Sequence, residues 1–210
     1  MNLTIKPLSP DLAADFLDFF DNRAFTDNSP MQPCYCCRPQ MTAEQEEVEL
    51  LSMIRANKGT MPRDIPGFKL ALRGIAEKQI QSGSMRGYLA FTGGVSIGWC
   101  NANDKANYTD LAFGECVRGT FDTTIRERAK SVLCFEIAPE YRGKGIATAL
   151  LSRICEDATI EGFDVVEGYP HLHDHREAYD FTGPVRLFEK AGFVKVVELG
   201  QVAVMRKRLR

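Results

Sequence analysis

The chain has 210 residues, of which 44% are hydrophobic and 26% are charged. This composition is typical of one globular domain and excludes disordered and fibrous chains. Lysine and arginine together number 26 against 28 aspartate and glutamate, and the resulting net charge of -2 argues against a protein that holds long nucleic acids by bulk charge.

The first part of the chain predicts a strand and an amphipathic helix. Leu3–Leu8 is typical of a short strand. Ser9, Pro10 and Asp11 then provide a side-chain cap, a proline for the first helical position and a negative charge in the first turn. The helix that follows has one apolar face, formed by Leu12, Phe16, Phe19 and Phe20.

Two further helices are predicted before residue 85. Thr42 and Gln45 have the spacing of a capping box, which marks the start of the second helix. Its apolar residues recur on one side and are Val48, Leu51 and Ile54. The third helix is predicted over about Phe68 to Gln81.

A change of the apolar period marks a β-hairpin after these helices. Gly87–Thr92 and Val95–Cys100 are predicted as two strands joined by the turn Gly93-Gly94. The segment from Asn101 to Lys130 is polar and has no clear period. We therefore predict a long insertion here, a feature that is often functional in compact domains.

The remaining elements complete a mixed sheet. Val132–Ala138 and Asp164–Gly168 are predicted strands, and the helix between them, over about 144–161, makes the two strands parallel. A short helix at Pro184–Ala191 and a closing hairpin over 193–206 follow. This order predicts an α/β fold with a twisted mixed sheet and helices on both faces.

The turn between the strand ending at Pro139 and the next helix suits a phosphate group. Gly143 and Gly145 allow the backbone to approach a ligand closely. The first amides of a helix have no intrahelical partner, and the helix dipole favours negative charge there. Arg142 and Lys144 add positive charge at the same place. The pattern therefore predicts a phosphate or pyrophosphate site.

Other interpretations of this turn are open from the residues alone. The glycines fit a simple tight corner beside two solvated basic residues. A P-loop is excluded because Lys144 is followed by Gly145 rather than by serine or threonine. A dinucleotide fingerprint fits better, since Gly143–Ala147 opens a helix and Glu167 follows about 20 residues later. In that fingerprint, however, Thr148 stands where a third glycine or alanine belongs.

The same segment resembles the GNAT superfamily of acyl-CoA-dependent N-acyltransferases. Arg142–Ala147 matches the family motif Arg/Gln-x-x-Gly-x-Gly/Ala, and Leu187–Phe193 is similar to a C-terminal family segment. The resemblance covers most of 87–210 and, more weakly, the N-terminal helices. It implies a single N-acetyltransferase domain over 1–210, in which residues 1–85 shape the acceptor side and residues 86–210 form the acyl-CoA-binding core.

The resemblance also implies how acetyl-CoA binds. Its pyrophosphate is expected on the turn amides, and its pantetheine arm in a gap between the strands of Ile137 and Val166. A backbone amide near Ile137 would polarise the thioester carbonyl, as in an oxyanion hole. The co-substrate-binding residues that this implies are Ile137, Ala138, Arg142, Gly143, Lys144, Gly145, Ile146, Ala147 and Thr148.

The expected chemistry is the direct attack of an amine on the thioester, which needs a base. An alkyl ammonium group has a pKa near ~10, so a proton must leave before attack. Glu136 and Glu167 lie on the two central strands and are candidate bases, although each also fits an ion-pair partner. Phe188 stands where many family members carry a general-acid tyrosine. Tyr179 or Tyr169 could replace it, or the thiolate leaves unaided.

Two clusters invite a metal interpretation, which we do not favour. Cys34–Cys37 and the set His171, His173 and His175 contain ligand types that suit zinc, but their spacing is unlike a Cys-x-x-Cys knuckle. The seven cysteines are expected to be thiols in a reducing compartment. The resemblance places the Cys34–Arg38 loop near the acceptor side of the cleft.

These observations together predict an N-acetyltransferase that uses acetyl-CoA, without metal, to modify a primary amine of a small molecule or peptide. The alternatives are a non-catalytic acyl-CoA-binding module and a dinucleotide-binding protein. No stretch reaches the ~18 apolar residues of a membrane span, and the N-terminus lacks a signal-peptide pattern, so we expect a cytoplasmic protein without nucleic-acid or membrane partners. The oligomeric state is open, a homodimer included.

Overall fold

A single mixed sheet runs through the computed structural model, which describes residues 2–29, 31–108, 127–172 and 181–209. In these ranges the sheet has seven strands in the order β1-β2-β3-β4-β5-β7-β6. All neighbouring strands are antiparallel except β4 and β5, which are parallel. The strands are β1 Leu3–Pro7, β2 Gly87–Thr92, β3 Val95–Asp104, β4 Ala129–Ile137, β5 Val165–Gly168, β6 Val194–Leu199 and β7 Val202–Arg208. The predicted mixed sheet with one parallel crossover is thus confirmed.

Helices cover both faces of this sheet. They are α1 Ala13–Asn22, α2 Ala43–Glu46, α3 Ser52–Ala56, α4 Phe68–Ser82, α5 Ile146–Ile160 and α6 Val185–Lys190. Strand β2 shows the division, because Leu89 and Phe91 pack with α1 and α4 on one face whereas Tyr88 and Ala90 pack with α5 on the other. None of the helices in the described ranges is long and apolar enough to cross a bilayer.

The first helix begins later than predicted but buries the predicted face. Ser9 makes no side-chain hydrogen bond as a cap, and a 3-10 helix, Pro10–Leu12, precedes α1. Phe16 and Phe19 are completely buried in the core. The spacing of the apolar residues therefore predicted the buried face correctly, although it did not predict the residue at which the α-helix begins.

The second predicted helix starts as expected and then changes its register. Gln45 N donates to Thr42 Oγ1 at 3.1 Å, and Thr42 N donates to Gln45 Oε1 at 2.9 Å, so the capping box is confirmed. A π-helical segment, Glu47–Leu51, then separates α2 from α3. It leaves Val48 67% exposed and buries Leu50. The predicted placement of Val48 on the apolar side was wrong because the π segment adds a residue to the turn.

The insertion predicted over residues 101–130 is shorter at both ends, because the neighbouring strands extend into it. Strand β3 continues to Asp104, a 3-10 helix follows at Lys105–Asn107, and β4 begins at Ala129. Polar residues of this segment belong to strands, and Asn101 and Asn103 are buried there. Residues 109–126 lie outside the described part of the chain.

Candidate active site

The candidate site lies where the two parallel strands separate. Pairing of β4 with β5 covers only the first four residues of β4 and ends at the pair Val132 and Gly168. Strand β4 continues for five more residues, through Ile137, into the turn before α5. Beyond Val132, β4 therefore has no paired strand on this side among the described strands, and the space beside residues 133–137 is called the gap below.

Backbone amides of β4 point into this gap. Ala138 N donates to Ile97 O on β3 at 3.0 Å, and the alternation of antiparallel pairing directs the amides of Phe135 and Ile137 to the opposite side. Phe135 N donates to Phe181 O at 2.6 Å. No acceptor for the Ile137 amide is found among the described residues. Ile137 thus presents a free donor to the gap, whereas the amide of Ala138 is occupied.

The turn after β4 is built so that its amides stay unpaired. Residues Pro139–Tyr141 form a 3-10 helix, and Arg142 N donates to Pro139 O at 3.2 Å. The first amide of α5 with a partner is that of Ala149, which donates to Gly145 O at 3.0 Å. Within the described ranges, the six amides of residues 143–148 have no acceptor. Six adjacent amides at a helix N-terminus suit the oxygens of a diphosphate.

The two glycines of the turn are required by the backbone conformation. Gly143 has a φ of 74° and Gly145 a φ of 81°, in the left-handed region that other residues adopt only with strain. A Cβ added at either position would meet no atom within 4 Å. The space above the turn is therefore open to a ligand.

Arg142, which the sequence assigned to the co-substrate site, holds the turn against β4. Its Nε donates to Ile137 O at 2.9 Å. Its Nη1 donates to Asp27 Oδ2 at 2.5 Å, and its Nη2 donates to Glu136 Oε1 at 3.2 Å. The guanidinium group thus joins the turn, β4 and the segment after α1. No signal in the sequence indicated Asp27, because it lies 115 residues from Arg142 along the chain.

Glu136, one of the two predicted bases, lies beside this gap with its side chain 15% exposed. Burial raises the pKa of its carboxyl group to about 8, and the charge and hydrogen bond of Arg142 offset only part of that rise. A carboxylate whose pKa lies near neutrality is suited to accept a proton from an ammonium group.

Glu167, the other predicted base, lies in a buried ion-pair network. Arg206 donates to its Oε1 from Nε at 2.8 Å and from Nη2 at 2.6 Å. Lys105 Nζ and Tyr169 OH donate to its Oε2 at 2.8 and 2.9 Å. Burial raises the pKa of Glu167, but the hydrogen bonds and charges of Lys105 and Arg206 outweigh burial and hold the pKa below its ordinary value.

The carboxylates of Glu136 and Glu167 lie too far apart to act on the same substrate atom. Glu167 pairs across the strands with Ser131, which is five residues before Glu136 on β4. At a rise of about 3.3 Å per residue, that separation is roughly 16 Å along the strand. Glu167 therefore lies in the paired part of the two strands, whereas Glu136 lies where they have separated.

Phe188 and Tyr169, two described aromatic residues near the gap, supply no evident acid. Phe188 is completely buried, and its ring lies so close to Gly168 that a Cβ there would be 2.1 Å from Cε1. The hydroxyl of Tyr169 is buried between Ser131 Oγ at 2.7 Å and Glu167 at 2.9 Å. Tyr179, the third predicted catalytic residue, lies outside the described residues.

The loop formed by Cys34–Arg38, called the cysteine loop below, lies on the same face of the sheet as Glu136. Cys36 Sγ is 2.8 Å from Cys134 Sγ on β4, and Asn101 Nδ2 donates to Cys36 O at 3.2 Å. In the described part of the chain, no three histidine, cysteine, aspartate or glutamate side chains are arranged to hold a metal ion. His173 and His175 lie outside that part.

The mixed sheet, with its glycine-bearing turn, is the fold of solved N-acetyltransferases to which this chain is similar. The family model of the acetyltransferase (GNAT) domain matches residues 88–195, just over half of the chain. The chain belongs to the GNAT acetyltransferase family. The predicted family and fold are thereby confirmed, and the dinucleotide interpretation has no support. No curated protein matches the chain in sequence.

Solved structures share this fold at low sequence identity. An N-acetyltransferase from Staphylococcus aureus Mu50 is similar, with a TM-score of 0.54, 12% identity and 100% of each chain covered. A GNAT acetyltransferase from Streptococcus pneumoniae has a TM-score of 0.52 at 18% identity, again with 100% of each chain covered. A putative acetyltransferase from Salmonella typhimurium, solved with its cofactor acetyl-CoA, has a TM-score of 0.51 at 15% identity and covers 99% of this chain and 94% of that one.

Proposed function

We propose that this protein transfers the acetyl group of acetyl-CoA to a primary amine of a small molecule or peptide by direct attack. The observation that supports this most is the group of six unpaired amides at residues 143–148, next to the gap that Glu136 borders. The whole chain, 1–210, acts as one domain in this proposal, because β1 pairs with β2 and the cysteine loop packs against β4.

The diphosphate of CoA binds the turn amides from Gly143 to Thr148. Main-chain donors dominate this contact, since the Arg142 side chain is engaged by Ile137, Glu136 and Asp27. Ile146 and Ala147 take part through the orphan amides of the first turn of α5. The pantetheine arm lies beside the end of β4, beyond the Phe135 amide that Phe181 O occupies, and the free amide of Ile137 donates to the thioester carbonyl oxygen.

Glu136 is the base in this proposal. It accepts one proton from the ammonium group, and the nitrogen lone pair then attacks the carbonyl carbon of the thioester. As the C–S bond breaks, its electron pair leaves with the CoA sulfur, which takes the second proton of the attacking nitrogen directly or through water. We prefer Glu136 to Glu167 because both oxygens of Glu167 already accept hydrogen bonds from buried partners.

A non-catalytic acyl-CoA-binding module is the second candidate, and Phe188 favours it because a phenyl ring cannot protonate a thiolate. The test incubates the purified protein with acetyl-CoA and a panel of amines and peptides, and measures the release of free CoA thiol. Amine-dependent release that exceeds the rate without amine supports the enzyme. Tight binding of CoA without release over the whole panel supports the module.

A further inference from the structure

Two buried thiols from distant parts of the chain meet beside the candidate site. Cys36 lies in the loop before α2 and Cys134 lies on β4, 98 residues apart in sequence, and their Sγ atoms are 2.8 Å apart. Both are nearly buried, with exposures of 8% and 9%. A covalent disulfide needs about 2.0 Å, so less than about 1 Å of movement separates the pair from a bond.

The surroundings of Cys36 favour its thiolate. Asn101 Nδ2 donates to Cys36 Sγ at 3.3 Å. The indole nitrogen of Trp99 is buried without a hydrogen-bond partner among the described residues, and Trp99 also favours the negative form of Cys36. The hydrogen bond from Cys134, with further contributions from Trp99 and from the Asn101 hydrogen bond, outweighs burial and lowers the pKa of the Cys36 thiol.

The other described cysteines have the opposite environment. Burial raises the pKa of Cys34 to about 12 and that of Cys155 to about 11. The hydrogen bond with Cys36 and burial both raise the pKa of Cys134. The pair therefore combines a thiol whose pKa is lowered with a neighbouring thiol, which is the arrangement of a redox-sensitive cysteine and its resolving partner.

We propose that Cys36 and Cys134 form a redox modification site, at which a hydroperoxide converts the two thiols into an intramolecular disulfide. The Cys36 thiolate attacks one peroxide oxygen, the O–O bond breaks, and hydroxide leaves, so that Cys36 becomes a sulfenic acid. The Cys134 sulfur then attacks the Cys36 sulfur. The S–S bond forms, the S–O bond breaks, and water leaves with the proton of Cys134. In sum, two thiols and one hydrogen peroxide give one disulfide and two waters.

The bond would change the surroundings of the candidate base. Cys134 precedes Glu136 by two residues and shares its face of β4. A disulfide would fix the cysteine loop to the strand at this place and remove an ionisable thiol whose negative form raises the pKa of Glu136. This consequence for catalysis depends on the proposed function, whereas formation of the disulfide does not.

The test uses the full-length protein, reduced, freed of reductant and treated with hydrogen peroxide. Remaining thiols are alkylated, the protein is digested, and the peptides are measured by mass spectrometry. We expect a linked peptide joining Cys36 to Cys134, about 2 Da lighter than the two thiol peptides together and lost on reduction. Cys155, which is 7% exposed and has no thiol neighbour among the described residues, serves as a matched control and should remain alkylatable.

Three results would overturn the proposal. The first is recovery of Cys36 and Cys134 as alkylated thiols at a peroxide dose that oxidises Cys155. The second is linkage of Cys36 to Cys34 or Cys37, and the third is further oxidation of Cys36 without any link. Cys36→Ser should abolish the linked peptide and Cys155→Ser should retain it. If Cys36→Ser does not fold, the wild-type protein alone decides, and no measurement of acetyl transfer is needed.

Discussion

At the residue scale, burial and charge set the protonation of two carboxylates in opposite directions. Glu136 has one cation, Arg142, as a partner, and burial raises its pKa to about 8. Glu167 has Lys105 and Arg206, and its pKa stays below the ordinary value although it is the more buried of the two. The difference in charge compensation therefore separates a group that can exchange protons near neutrality from one that remains a carboxylate.

Glu136→Gln should reduce acetyl transfer by about 10²–10⁴-fold, which is the usual contribution of a proton-transfer group. In the wild type the rate should rise with pH through about 8, because the base must be deprotonated. Initial rates from pH 6 to 10 measure both effects. The control is Glu140→Gln, an exposed carboxylate in the adjoining turn. Equal losses in the two variants would argue against Glu136 as the base.

The same substitution should not weaken the fold above pH 8. The pKa of Glu136 is about 8 in the folded protein against 4.5 for the ordinary group, so the folded state binds more protons between these values. Wild-type stability must then fall as pH rises through that window. Glu136→Gln removes this loss, and we expect its melting temperature at pH 9 to equal or exceed that of the wild type. Lower stability at pH 9 would contradict the raised pKa.

Arg142→Ala should move the pH dependence of acetyl transfer upward. Arg142 lowers the pKa of Glu136 by its charge and its hydrogen bond, so its removal leaves the effect of burial unopposed. The midpoint of the rate profile should then lie above about 8. Lys144→Ala removes the same charge from the same turn without a contact to Glu136, and its midpoint should stay unchanged. If the midpoint rises equally in Arg142→Ala and Lys144→Ala, the cause would be the general loss of positive charge and not the contact of Arg142 with Glu136.

At the element scale, the turn before α5 is determined by its backbone. The positive φ values of Gly143 and Gly145 shape the turn in which six amides have no acceptor among the described residues, and the 3-10 helix Pro139–Tyr141 joins this turn to the end of β4. The basic side chains add less, because Arg142 is engaged internally and Lys144 Nζ lies 5.1 Å from the centre of the Tyr141 ring. Ligand binding here should therefore depend on conformation more than on charge.

Gly145→Val should weaken CoA binding more than Lys144→Ala. Valine resists the φ of 81° that Gly145 adopts, although its side chain would meet no neighbour within 4 Å of the Cβ position. Isothermal titration of CoA onto both variants measures the ranking. Gly83→Val introduces the same strain, at a φ of 73° and in equally open space after α4, and should bind CoA as the wild type does. Weaker binding of CoA by Lys144→Ala than by Gly145→Val would exclude binding of the diphosphate by the turn amides.

At the scale of the whole molecule, the Glu167 network joins separate parts of the sheet. The carboxylate belongs to β5, Arg206 to β7, and Lys105 to the 3-10 helix after β3. The Lys105 and Arg206 side chains are 16% and 17% exposed, so water compensates little of their charge if the carboxylate is removed. Removal of one member of a buried ionic group costs more than the pairing itself contributes.

Glu167→Gln should destabilise the fold by about 3–5 kcal/mol at pH 7, because two nearly buried cations lose their counter-charge. The folded pKa of Glu167 is below the ordinary 4.5, so its contribution is present above that value and is lost as pH falls through the folded pKa. Urea denaturation at pH 7 and at pH 4 should show the difference between wild type and variant shrinking in acid.

The matched control for this prediction is Glu198→Gln on β6. Its ion pair with Lys195 is about half exposed, and such pairs contribute less than about 1 kcal/mol. Comparable destabilisation by the two substitutions would mean that the buried Glu167 network contributes no more to stability than an exposed ion pair does. If Glu167→Gln keeps its stability but loses acetyl transfer, the result would instead support Glu167 as the base.

The sequence by itself determined the elements whose signals are local. The Thr42 and Gln45 capping box, the turn at Gly93-Gly94 and the glycines of the turn before α5 each act through neighbouring residues, and all are found as predicted. The succession of strands and helices along the chain and the family motif followed from the same short-range information. For the same reason, the unpaired amides of the turn could be predicted before any distance was known.

Only the tertiary structure decided which side chains meet. Arg142 contacts Asp27 across 115 residues, and Cys36 contacts Cys134 across 98. The pKa of Glu136 depends on how the loop and β4 bury it, and no pattern along the chain encodes that burial. Val48 turned outward because a π segment changed the helix register. The free energies of burial and of ion pairing depend on neighbours in space, whereas turns and caps depend on neighbours in sequence.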